Sequence, residues 1–136
     1  MATRALIKVY DGNDEICTIY KHWNGAALKD VLEKFISWRK VVNGIPHRYL
    51  TEKVSVENAP VANGMDDFAA QLICYLKSKS PIGDVYLCKP GTKNVGEEYV
   101  YKITNVGKKL ILTVEKKEVK TGPLSPYRAL TRQAKI

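Results

Sequence analysis

The sequence has no apolar run of the ~18 residues that a membrane-spanning helix requires, so no such helix is expected. Histidine is scarce: His22 and His47 are the only two. Neither a His-x-x-x-His nor a Cys-x-x-Cys pair occurs, so no zinc site is expected. No other metal and no cofactor is expected either. The phosphate-binding signatures Gly-x-x-x-x-Gly-Lys-Ser/Thr and Gly-x-Gly-x-x-Gly are both missing. The stretch from Gly91 to Gly96 is superficially loop-like in that sense. It leads into a strand pattern, however, and lacks the helix N-terminus that holds an anion, so it reads as a hairpin loop. No Gly-x-Ser-x-Gly nucleophile elbow is present. The three cysteines, Cys17, Cys74 and Cys88, are odd in number and not closely paired. They read as reduced thiols, mostly small buried apolar side chains, in a cytoplasmic protein. The opening residues show no basic region followed by a long apolar one, so no signal peptide is expected.

What remains is the profile of a single globular domain. A chain of 136 residues with 45% apolar and 26% charged residues can bury a core without disulfides or metals. The net charge is +8, and it is unevenly spread. Residues 1–68 hold nine Lys/Arg and nine Asp/Glu, which cancel, whereas residues 69–136 hold thirteen and five, which gives the whole +8. Such asymmetry favours an anionic partner. A solvated lysine surface accounts for the same count.

Two strands open the chain. Ala5, Ile7 and Val9 alternate with Leu6, Lys8 and Tyr10, as a half-buried strand over Arg4–Tyr10 requires. Asp11-Gly12-Asn13-Asp14 supplies a turn, and Glu15–Tyr20 completes a hairpin. The period then changes. Leu28, Val31, Leu32, Phe35 and Ile36 recur at helical steps, which predicts a helix over Ala26–Val41, capped by Asn24 and ended at Asn43-Gly44. Lys53–Val56 is a candidate edge strand. A second helix is expected over Met65–Lys77. Asp66 and Asp67 in its first turn and Lys77 and Lys79 at its end both favour the helix dipole. Strands are expected at Asp84–Cys88, Glu98–Thr104 and Lys109–Glu115, the last two joined by a hairpin at Asn105–Lys108. The expected fold is α+β. An antiparallel sheet, with elements in the order β-β-α-α-β-β-β, carries both helices on one face. Residues 1–118 form this domain, and residues 119–136 form a basic tail that is flexible or orders on binding.

The opening Thr3-Arg4-Ala5-Leu6-Ile7-Lys8-Val9-Tyr10-Asp11 resembles small uncharacterised proteins of phages, prophages and other mobile elements. Tyr20–Gly25, Asn63-Gly64, Ala69–Leu72 and Gly96–Tyr101 are also similar to that pattern, and together the likeness spans roughly residues 1–115. In that family an Asp-Gly-Tyr-Pro segment follows the second strand. Here it is reduced to Asn24-Gly25, with loss of a carboxylate and an aromatic. The resemblance implies a shared fold and a viral or mobile-element setting, in which the location would be the host cytosol. It implies no activity.

Two clusters stand out. Arg4 begins the first strand and Tyr20 ends the second, so a hairpin sets them side by side, next to Lys21, His22 and Trp23. Arg grips phosphate bidentately, Trp stacks on a base, and His donates or exchanges protons near neutrality. A packing role for Trp23 is the plainer alternative. The second cluster is Lys108, Lys109, Lys116, Lys117, Lys120, Arg128, Arg132 and Lys135, a candidate anion-binding surface acting through counterion release. Exposed strand lysines also simply block edge aggregation. The leading expectation is a non-enzymatic binding protein for an anionic partner, nucleic acid or a nucleotide signal, without membrane contact. The alternative is a protein-interaction inhibitor of a host defence or transcription complex. A small hydrolase or nuclease using His22 with Arg4 ranks third.

Overall fold

The structure is a computed structural model and describes residues 2–117. Strands β1 (Ala5–Asp11) and β2 (Asp14–Lys21) form the expected hairpin, antiparallel, with Leu6 opposite Tyr20 and Ala5 opposite Lys21. A 3-10 turn at Gly25–Ala27 leads into helix α1 (Leu28–Ile36). Short strand β3 (Lys40–Val42), helix α2 (Arg48–Thr51) and strand β4 (Val61–Asn63) precede the long helix α3 (Gly64–Lys79). Strands β5 (Val85–Cys88), β6 (Tyr99–Val106) and β7 (Lys109–Lys116) complete the fold. The main sheet runs β5-β2-β1-β6-β7, and β3 pairs with β4 in a separate two-stranded ribbon.

The α+β class is as expected, but several details differ. The main sheet is not wholly antiparallel: β1 and β6 are parallel neighbours. Hairpin signals govern only strands adjacent in sequence, so they could not report this pairing. The first helix stops at Ile36 instead of Val41, because the β-branched Val41 and Val42 leave the helix to pair with Ala62 and Asn63. Asn43-Gly44 therefore follows a strand and ends no helix. Asn24 lies in the left-handed region (φ 60) and its side chain caps nothing. The edge strand expected at Lys53–Val56 is absent, and Val61–Asn63 takes that role. The element order is thus β-β-α-β-α-β-α-β-β-β, with three helices rather than two.

One core joins the sheet to α1 and α3. Ala5, Ile7 and Val9 of β1, Cys17 and Ile19 of β2, and Tyr101 and Ile103 of β6 face Leu32 and Phe35 of α1 and Phe68 and Leu72 of α3. The Tyr101 hydroxyl donates to the Gly25 carbonyl, which ties the 3-10 turn to the sheet. Gly25 is required there. Its amide donates to the Thr3 carbonyl at 2.8 Å, and a Cβ at this position would stand 2.7 Å from that same oxygen.

The opposite face of the sheet is partly covered as well. After β5 the chain runs from Lys89 to Glu98 back across β2 and β1 to reach β6. A bulge between Val9 and Tyr10 shifts the β1–β2 register and turns Glu15 toward this crossover. The Glu15 carboxylate accepts from Lys8 Nζ (3.0 Å), the Thr18 hydroxyl and the Gly91 amide (2.6 Å), and Lys8 also donates to the Thr92 carbonyl (2.9 Å). Burial alone raises the Glu15 carboxyl, but these donors outweigh it and hold it at about 2, against an ordinary 4.5. A carboxyl lowered on folding stabilises above its unfolded value and loses that stabilisation as pH falls toward its folded value. Glu15→Gln is therefore expected to cost about 1–2 kcal/mol at pH 7, in line with charge-assisted hydrogen bonds. Denaturant melts at pH 7 and pH 3 check this: the gap between native and variant should narrow at the lower pH. An equal gap at both values would contradict the assignment.

Candidate functional site

A cleft of about 730 Å³ opens on the crossover side of the sheet, at the end where β1 and β5 begin and β2 ends. The hairpin register delivers its first residues. Arg4 precedes β1, and Tyr20 and His22 come from the end of β2, so that Arg4, Tyr20, His22 and Trp23 line one space. Strand β5 adds Tyr86, Leu87 and Cys88, because Tyr86 pairs with Tyr20 and Cys88 with Thr18. Val95 of the crossover closes one side. Tyr20 and Tyr86 rings lie 5.9 Å apart, and His22 meets the Trp23 ring edge-on at 4.8 Å. The Tyr20 hydroxyl and His22 Nδ1 share a hydrogen bond of 2.8 Å. Burial raises the Tyr20 phenol, with Arg4 pulling the other way, so the phenol stays protonated at neutral pH. Trp23 and Tyr86 remain about half exposed, at 52% and 50%.

Arg4 is the cation of this cleft. The ion pairs among the described residues are Lys8–Glu15, Lys21–Asp84 and Lys117–Glu97, and Arg4 takes part in none of them. Its Nε is buried without a hydrogen-bond partner. Its guanidinium is packed over Gly96, where a Cβ would lie 2.5 Å from one terminal nitrogen. Gly96 also has φ +85, a conformation glycine adopts without strain. The absence of a side chain at Gly96 thus leaves room for the Arg4 guanidinium.

Lys21 belongs elsewhere. It pairs with Ala5 on the helix-facing side, where its ammonium meets Asp84 Oδ2 at 2.6 Å and the Trp23 carbonyl at 2.6 Å. The pair is enclosed, with the side chains of Lys21 and Asp84 only 11% and 6% exposed. Asp84 also accepts from the Trp23 amide (2.9 Å), the His22 amide (3.2 Å) and the Ser80 hydroxyl (2.9 Å). Burial raises the Asp84 carboxyl, while Lys21, the Trp23 amide and Ser80 together bring it below the usual range. Lys21 and Asp84 therefore set the path of the backbone that carries His22 and Trp23.

The lysines of the second half do not converge. Lys109 and Lys116 stand at opposite ends of β7, about 24 Å apart at 3.4 Å per residue. Their odd and even places in the strand send them to opposite faces. Lys117 is paired with Glu97 at 3.1 Å, and the Lys116 ammonium lies 5.9 Å from the Tyr99 ring centre. Lys108 contributes its carbonyl to the Val41 amide. Among the described residues, then, Lys109 and Lys116 do not share one face of the sheet, and Lys117 is paired with an acid. Lys120, Arg128, Arg132 and Lys135, like the whole tail from residue 119, lie outside the described residues.

Asp84, Tyr86, Leu87 and Val95 escaped the sequence reading. Tyr86 and Leu87 sit in a strand that was expected, but which strand it would pair with was not given by any turn signal. Asp84 has φ 65, and the Gly83-Asp84 dipeptide is the one local sign that a turn, not a strand, occupies that position. Among the described residues no helix is long and apolar enough to cross a membrane, and no group of three metal-ligating side chains assembles. No protein-family model, curated protein or solved structure matches this chain.

Proposed function

We propose that this chain is a non-enzymatic binding module of mobile-element type that engages an anionic partner, a nucleotide or nucleic acid, in the cleft around Arg4. The observation that carries this reading is a guanidinium without a carboxylate partner, set among half-exposed aromatic rings. Arg4 is half-buried, and its Nε has no hydrogen-bond partner. An anion meets the guanidinium bidentately, and the faces of Trp23 and Tyr86 take up a flat base. The resemblance to phage and prophage proteins supports the viral setting and host cytosol as the place of action.

Titration with single-stranded oligonucleotides and mononucleotides at low salt, followed by tryptophan fluorescence, tests the reading. Arg4→Gln and Trp23→Ala are each expected to weaken binding at least about tenfold, equivalent to ~1.4 kcal/mol. Lys109→Gln and Lys116→Gln should leave it within about twofold, since those residues lie on the far edge of the sheet. Loss through the β7 lysines with Arg4→Gln silent would move the site away from the cleft.

A further inference from the structure

The charges around the cleft narrow the class of ligand, provided that the cleft reading itself holds. We infer that the cleft recognises a nucleobase carrying a single phosphate group, either as a free mononucleotide or as the phosphorylated end of a single strand. Among the described lining residues Arg4 is the sole Lys or Arg. Lys21 is committed to Asp84 and the Trp23 carbonyl, Lys8 to Glu15 and the Thr92 carbonyl, and Lys117 to Glu97, while the exposed Lys89 and Lys93 of the crossover lie outside the lining. One guanidinium satisfies one phosphate through its two parallel N–H donors. A second or third phosphate would find no further Lys or Arg among the lining residues.

Size and surface agree. The volume of about 730 Å³ lies within the span of small-ligand sites, about 300–1,000 Å³, and suits one nucleotide. The edge-on contact with His22 leaves the Trp23 indole half exposed to receive one base. Lys109 and Lys116 lie on β7, the edge of the sheet opposite to β5, four strand spacings or about 19 Å away.

Calorimetric titration of the native chain decides the matter without relying on a variant that folds. The ligands are a nucleoside, its 5′-mono-, di- and triphosphates, inorganic phosphate, and single-stranded pentanucleotides with and without a 5′-phosphate, each nucleobase in turn. The monophosphate should bind at least about tenfold tighter than the nucleoside, and the di- and triphosphates no tighter than the monophosphate. Arg4→Gln should make monophosphate and nucleoside equal, while Trp23→Ala should weaken both by a similar factor. Tight binding of the 5′-phosphorylated pentanucleotide, with its 5′-hydroxyl form weak, supports a strand end as the source. Binding of the monophosphate alone supports a free mononucleotide. A triphosphate preferred tenfold, or a phosphate without effect, overturns the one-phosphate assignment and leaves the cleft standing as a site. No binding of any of these ligands overturns both.

Discussion

Asp84→Ala is expected to destabilise the fold by about 3–5 kcal/mol, the cost of stranding one member of a buried ion pair. The Lys21 ammonium would keep only the Trp23 carbonyl, and the Trp23 amide would lose its acceptor, while the His22 amide would keep the backbone carbonyl of residue 84 at 2.8 Å. Alanine also tolerates a φ of 65 poorly. The companion variant Asp84→Asn separates these contributions. Asparagine accepts from the same amides and adopts the left-handed region readily, but it carries no charge for Lys21. It should recover part of the loss. Thermal or denaturant unfolding checks the order native, Asn, Ala. Ligand titration adds a second readout, because the Asn variant should still present Trp23 to the cleft. An alanine variant as stable as the native chain would show that Lys21 finds water or another partner, and that Asp84 does not organise this corner.

The second large effect is expected at Arg39, which lies far from the cleft. Its side chain is 2% exposed and has no carboxylate partner among the described residues. Instead Nε donates to the Phe35 carbonyl at 3.2 Å, one terminal nitrogen to Gln71 Oε1 at 2.9 Å, and the other to the Val56 and Glu57 carbonyls at 3.1 and 3.4 Å. The guanidinium also stacks 3.8 Å above the Phe35 ring centre. Burial lowers its pKa to about 10, so it stays charged at neutral pH. One planar group thereby fastens the end of α1, the loop before β4 and the side of α3. Arg39→Ala leaves several acceptors without a donor and opens a hole beside Phe35. A loss of about 3 kcal/mol or more follows, with a fall in Tm of about 10 °C or more for a domain of this size. Arg39→Lys keeps the charge but not the fork, and should recover little of it. A lysine variant that melts with the native chain would mean that charge alone is needed there.

The sequence foretold neither of these two residues. Arg39 drew no reading, because its partners at Val56, Glu57 and Gln71 are remote in the chain and no pattern joins them. Asp84 was hidden inside an expected strand. The opening hairpin, by contrast, could be read apart from the bulge between Val9 and Tyr10. Alternation at Ala5, Ile7 and Val9 and the turn at Asp11–Asp14 fix both the strands and their pairing, which in turn brings Arg4 next to Tyr20. That local inference brings together Arg4, Tyr20, His22 and Trp23, which line one cleft. It failed at Lys21 through parity, since a residue one step from Tyr20 points to the other side of the sheet. The basic cluster was less legible for a related reason. Charge counted along a chain says nothing about which face or end of a strand each lysine occupies. Helix α1 was overextended because Val41 and Val42 fit a helical stripe as well as they fit a strand, and only β4 decides between them.

The central position of β1 has a kinetic corollary. It lies between β2, its neighbour in the chain, and β6, which begins at Tyr99. During synthesis the opening hairpin can close early, yet one side of its middle strand stays open until nearly the whole domain has left the ribosome. Distant pairings of this kind slow folding, and an unfinished strand edge is what a nascent chain must keep from other chains. For this protein the order of translation, more than the final stability, sets the interval in which it is most exposed to aggregation.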